Sequence, residues 1–182
     1  MNRAVRNLVA LAILVAVSYA LWRVWGARHA APAPGGGAPD SALAGLRPAV
    51  LWFADPGGDS LVSEMRELPE QEGLHGRVSL LVDALARGPE RGGLAVLPTG
   101  TAVLHVYLDD RGLLTLDLSR AFTQGFHGGS REEDLILGSL VRTLGANVPE
   151  ANRVMFTCAG SPLLSLGGHL PLDRPIDPHE AF

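Results

Sequence analysis

One cysteine, few aromatic rings and few charges mark this chain of 182 residues. The lone Cys158 excludes an intrachain disulfide and a cysteine-based zinc site. It lies in an apolar run, Val154 to Ala159, with no cation close in sequence to lower its pKa, so it reads as a small buried hydrophobe. No lipobox cysteine follows the N-terminal apolar segment. A net charge of −4 with 19% charged residues provides no basic face for nucleic acid. The six histidines contain no His-x-His or His-x-x-x-His pair, so neither a metal nor a cofactor site is expected. The glycine-rich stretches near Gly57 and Gly128 lack the Lys-Ser/Thr continuation of a phosphate-binding loop. No Gly-x-Ser-x-Gly elbow presents a nucleophile.

The N-terminus is apolar instead. Leu8 to Trp22 carries no charge, and Trp22, Arg23 and Trp25 suit a membrane interface. Counted to Trp25, the segment has roughly 18 residues, near the lower limit for spanning a bilayer. A single-pass anchor over residues 1–26, inserted through residues 8–25, is expected. The alternative is a signal peptide cleaved near Ser18-Tyr19-Ala20. Either reading puts the rest outside the cytoplasm, in the periplasm or extracytoplasmic space beside the bacterial inner membrane. Residues 27–47 hold the run Ala-Ala-Pro-Ala-Pro-Gly-Gly-Gly-Ala-Pro and read as a linker. About 20 such residues span roughly 25 Å as coil and roughly 60 Å as polyproline, so the linker keeps the domain close to the membrane.

Residues 48–176 carry the folded pattern, and 177–182 form a tail. Ala49 to Ala54 reads as a strand, closed by Asp55-Pro56-Gly57-Gly58 turn chemistry. Leu61 to Leu68 reads as an edge strand because Glu64, Arg66 and Glu67 interrupt it. Val78, Leu81, Val82 and Leu85 place one helix over Arg77–Arg87, stopped by Gly88-Pro89. Thr101 to Phe122 forms a hairpin around Asp109-Asp110-Arg111-Gly112, apolar on both faces and so expected at the centre of a sheet. Ser130 starts a second helix, with Glu133 three residues on predicting a capping box. Arg153 to Ala159 is the last strong strand. Gly167-Gly168-His169 closes the compact region, and Pro171, Pro175 and Pro178 predict an extended C-terminal end. The order β-β-α-β-β-α-β predicts one small layered α+β domain of about five strands and two amphipathic helices, preceded by the transmembrane helix.

Several short pieces of the chain stand out together by their order and spacing. They are Leu51-Trp52-Phe53-Ala54-Asp55, Leu80 to Pro89, Leu97-Pro98-Thr99-Gly100-Thr101 and Asp117-Leu118-Ser119-Arg120-Ala121-Phe122. Gly128-Gly129-Ser130, Val141-Arg142-Thr143-Leu144 and Gly167-Gly168-His169 complete the set. In this order and spacing the pieces resemble the GerMN domain of the sporulation and germination family, and the resemblance runs from about Val50 to Pro175. It implies a membrane-anchored or secreted domain without established catalytic residues, found alone, in tandem, or beside cell-envelope modules such as amidases. The tandem spore proteins carry two copies and this chain has room for one, a departure that weighs against a sporulation role and leaves a general envelope role.

Function is expected from binding, with no catalytic residue. The leading expectation is a membrane-tethered domain that assembles with an envelope protein through its exposed edge strand. A homo-oligomer is compatible with this reading. The alternative is a peptidoglycan- or polysaccharide-binding module, or an accessory to a wall hydrolase. The candidate binding residues are Phe122 and Phe126, as the most exposed aromatics, and His169, because two glycines precede it. A hydrolase would need Ser119, Asp117 and His105 or His169 within hydrogen-bond reach of one another; bonds from those side chains to backbone groups would argue against it.

Overall fold

The structure, a computed structural model, describes residues 45–178. The anchor expected over residues 8–25, nearly all of the linker and the end of the tail lie outside these residues. No helix among the described residues is long and apolar enough to cross a membrane.

Strand β1 (Leu46–Ala54) pairs antiparallel with β2 (Leu61–Pro69) as a two-stranded ribbon. The turn between them forms because Asp55 Oδ1 accepts the amides of Asp59 and Ser60, an aspartate turn of the expected kind. Helix α1 (Gly73–Arg87) comes next and stops at Gly88, whose φ of +89° suits only glycine. The helix starts four residues earlier than the apolar periodicity indicates.

A second sheet holds β3 (Val103–Leu108), β4 (Leu113–Leu118), β5 (Arg153–Cys158) and the two-residue β6 (Ser161–Pro162), in that order. The β4–β5 pair is parallel and the others are antiparallel. The parallel pair needs a crossover, supplied by the short α2 (Ala121–Gln124) and by α3 (Ser130–Asn147). The fold is therefore the expected α+β layering, with a sixth strand and a third, four-residue helix added. Ala159 and Gly160 both take positive φ in the tight β5–β6 turn.

The hairpin is less central than its composition predicts. Strand β4 is buried, but β3 is the sheet's edge and exposes Leu104, His105 and Tyr107. A bulge between Val103 and His105 breaks the alternation. Val103, Val106 and Leu108 consequently pack against the core together, although alternation puts Val103 on the opposite face. The proline-rich segment after His169 also stays on the domain. Ile176 exchanges both backbone hydrogen bonds with Val154 of β5, and Leu172 is buried.

One apolar core joins the two sheets. Leu51 and Phe53 of β1, Val78, Val82 and Leu85 of α1, Leu114, Leu116 and Leu118 of β4, Ile136, Leu137, Leu140 and Leu144 of α3 and Phe156 of β5 are buried within it. Cys158 is half-buried, with its thiol facing the Ser119 carbonyl at 3.7 Å.

Candidate functional site

Glu133 organises the end of the domain where α3 begins. The capping box does not form: Gly129 is the N-cap and Ser130 makes no side-chain cap. Glu133, fully buried, turns the other way. Its Oε1 accepts the amides of Leu166 and Gly167 at 3.0 and 2.8 Å, and its Oε2 accepts the His169 amide at 3.0 Å. His169 Nδ1 lies 3.1 Å from the same Oε2. Three amides from a distant loop outcompete the single amide of a helix start. Burial pushes the carboxyl pKa up. The amides of Gly167, His169 and Leu166 and the His169 ring outweigh that and hold it below the usual glutamate value.

This arrangement accounts for the two glycines before His169. A Cβ on Gly167 would stand 2.6 Å from the Phe126 ring and 3.1 Å from Glu133 Oε2. Gly168 takes a φ of +88°. His169, bonded to Glu133, and Phe126, packed at Gly167, thus both belong to a clamp that fastens the C-terminal loop to α3. Phe122 does not join them. Its ring is fully buried, which corrects its expected exposure: as the second residue of the short α2, it is turned into the core.

A second carboxylate fastens the ends of β4 and β5. Asp117 Oδ1 accepts the Thr157 hydroxyl and the Gly160 amide, each at 2.9 Å, and Oδ2 lies 3.2 Å from the exposed His105 ring. Burial raises the Asp117 pKa, but the Gly160 amide, the His105 ring and the Thr157 hydroxyl together lower it below the ordinary value. Ser119 Oγ accepts the Ala102 amide and donates to the Gly100 carbonyl. Ser119 therefore bonds to neither His105 nor Asp117, and His169 is held by Glu133. Of the side chains a serine hydrolase would use, His105 and Asp117 bond to each other, but Ser119 is spent on backbone groups and joins neither of them. Among the described residues, no group of three His, Cys, Asp or Glu side chains could hold a metal ion.

The β1–β2 ribbon has two unlike edges. The β1 edge is closed by side chains of α3. Ser139 donates to the Trp52 carbonyl, Thr143 accepts the Trp52 amide, and Asn147 both accepts from the Val50 amide and donates to the Val50 carbonyl. Residues four apart share one helix face, so this polar stripe meets the strand edge in register. Among the described residues, the backbone of β2 bonds to nothing but β1. The edge expected at Leu61–Leu68 is present, but two of its three charges point inward. Glu64 and Arg66 are a buried ion pair facing Leu51 and Ala49. Arg66 also donates to the Gly88 carbonyl at 3.1 Å, and Glu64 accepts the amides of Glu90 and Arg91. The outward face shows Leu46 and Met65, more than 60% exposed.

Residues 50–164 match the family model described as Germane, sporulation and spore germination. The chain belongs to this family. The Germane domain is also similar to solved structures. The first GerMN domain of the sporulation protein GerM from Bacillus subtilis is 22% identical, with a TM-score of 0.62, over 74% of this chain and 99% of that one. The tandem GerMN domains of the same protein give 22% identity and a TM-score of 0.61, over 72% of this chain and 46% of that one. The chain thus spans about half the length of the tandem structure. A Clostridium perfringens structure described as a candidate lipoprotein gives 21% identity and a TM-score of 0.50, over 76% of this chain and 92% of that one. At these identities the likeness concerns the fold. Among curated proteins, none matches the chain.

Two features of this Germane domain are hard to read from sequence. The spacing from Ser130 assigns Glu133 to its own helix start, whereas its partner loop lies more than 30 residues on. The Ser139, Thr143 and Asn147 stripe is the more legible of the two. Three short polar side chains four residues apart, set among the buried apolar positions of this helix, signal a strand edge that must be satisfied.

Proposed function

We propose that this Germane domain is a membrane-tethered, extracytoplasmic, non-enzymatic module that assembles with a cell-envelope protein by adding one of that protein's strands to β2. The observation that carries the proposal is the contrast between the ribbon's edges: α3 closes β1 along one side, while on the other the outward backbone groups of β2 meet no strand among the described residues. An unpaired edge is a template for an incoming strand, with side-chain pockets supplying selectivity. The inward-pointing Glu64 and Arg66 guard such an edge against unselective pairing. Leu46, Val62 and Met65 offer apolar contact to a chosen partner. Tethering is supported by the apolar segment over residues 8–25 and the short linker, and by the candidate-lipoprotein description of a fold relative. The polysaccharide-binding alternative loses the support it drew from Phe122, whose ring lies inside the core.

A photo-reactive residue at Val62 or Met65 of the full chain, in its native cell, should cross-link to one envelope protein. The same probe at Asp110, on the β3–β4 turn, should not. The purified partner should bind wild type, and Met65→Lys should abolish that binding without lowering the melting temperature. Equal cross-linking from Asp110, or binding that Met65→Lys leaves intact, would refute strand addition.

A further inference from the structure

A groove of about 720 Å³ opens between the β1–β2 turn, α3 and the C-terminal segment. Its apolar wall includes Leu135, Leu170, Pro171 and Ile176, and Arg142, Arg174 and Asp134 stand among them. Most ligand sites are concave, mainly apolar, and carry a few convergent polar groups, within about 300–1,000 Å³. The arginines are the informative residues. Among the other described arginines, Arg47, Arg66, Arg77 and Arg131 each meet a carboxylate, while Arg87, Arg91, Arg111, Arg120 and Arg153 lie outside the groove and form no ion pair with a described residue. Arg142 instead lies over the Trp52 ring at 4.9 Å, and neither Arg142 nor Arg174 forms an ion pair with any described residue. Stacking fixes the Arg142 guanidinium while leaving its N–H donors available. The other acid at the groove, Asp59, is already paired with Arg131 at 3.0 Å. The groove therefore holds two cations against one unpaired carboxylate, beside an apolar wall.

We propose that this groove binds the terminal carboxylate of a short peptide. The guanidinium groups of Arg142 and Arg174 take the carboxylate, in the geometry that makes arginine–carboxylate pairs strong. The apolar wall takes the last side chains, and Asp134 accepts a peptide N–H. The same terminus occurs on an envelope protein and on the stem peptide of a wall polymer; the configuration of the residues separates the two sources. The proposal does not depend on strand addition to β2.

The test is calorimetric titration of the full chain, in mild detergent, with N-acetyl-Leu-Ala-Ala as the free acid, as the C-terminal amide, and in the all-D form. The free acid in one or both configurations should bind. The amide should bind about tenfold or more weakly, the scale of a lost charge-assisted hydrogen bond. Arg142→Gln and Arg174→Gln should each weaken the acid by about tenfold. Arg174 is exposed, so its variant keeps the fold and remains informative even if the stacked Arg142 variant does not. Preference for the L form assigns the source to a protein terminus, and preference for the D form to a wall peptide. Met65→Lys should leave all of this binding unchanged. Equal binding of acid and amide, undiminished binding by Arg174→Gln, or no binding of either acid at millimolar concentration would overturn the proposal.

Discussion

Replacing Glu133 tests the most consequential interaction in the domain. The carboxylate is fully buried and accepts three backbone amides plus the His169 ring. Glu133→Ala removes every acceptor and leaves the amides of Leu166, Gly167 and His169 without a protein partner. A hydrogen bond to a charged group contributes about 1.5–3 kcal/mol, and a stranded donor costs about 1–3 kcal/mol. The loop is only half-buried, so water recovers part of this. We therefore expect a loss of about 3–5 kcal/mol, a large share of the 5–15 kcal/mol typical of a domain. Glu133→Gln keeps one oxygen for Leu166 and Gly167 but sets an NH2 group against the His169 N–H, for about 2 kcal/mol. The pH dependence separates electrostatics from shape. The folded-state pKa lies below the ordinary value of 4.5. The stabilisation is thus complete above the unfolded value and is lost as pH falls through the folded one. Urea unfolding of wild type and Glu133→Gln, tracked by tryptophan fluorescence between pH 7 and pH 3, should show the gap between them narrowing below about pH 4.5. A Glu133→Gln variant as stable as wild type at pH 7, or a gap that ignores pH, would refute the clamp.

Gly167→Ala should destabilise by about 1–3 kcal/mol, because its Cβ meets the Phe126 ring; Phe126→Leu in the same chain should recover part of the loss in thermal melts. Asn147→Ala strips the Val50 amide and carbonyl of their partner and should cost about 1–3 kcal/mol, with faster hydrogen exchange at Val50 by NMR. Arg66→Met leaves the buried Glu64 carboxylate without its partner and should cost about 3–5 kcal/mol, whereas Arg47→Met, from an exposed pair, should change stability by less than about 1 kcal/mol in the same unfolding assay.

Much of this domain is set by local chemistry. Gly88 ends α1 because a positive φ is needed there, and the Asp55 and Asp109 turns form from bonds within five residues. Leu81, Val82 and Leu85 declare a buried helix face by spacing alone. Those readings need no tertiary information, since every interaction they rest on closes within a turn or two of chain. The edge position of β2 is also legible, though two of the three charges that signal it face inward. The candidate site is less accessible. Phe122, Phe126 and His169 stand out by residue type, yet type cannot reveal that Phe122 is in the core while Phe126 and His169 belong to a clamp. Glu133 resembles a helix cap because the competing amides lie 33 to 36 residues away. The β3 bulge, the parallel β4–β5 pairing and the α3 stripe on β1 are likewise decided by tertiary contact. In each case a polar group has more than one possible partner, and only the closed fold determines which lies within about 3 Å.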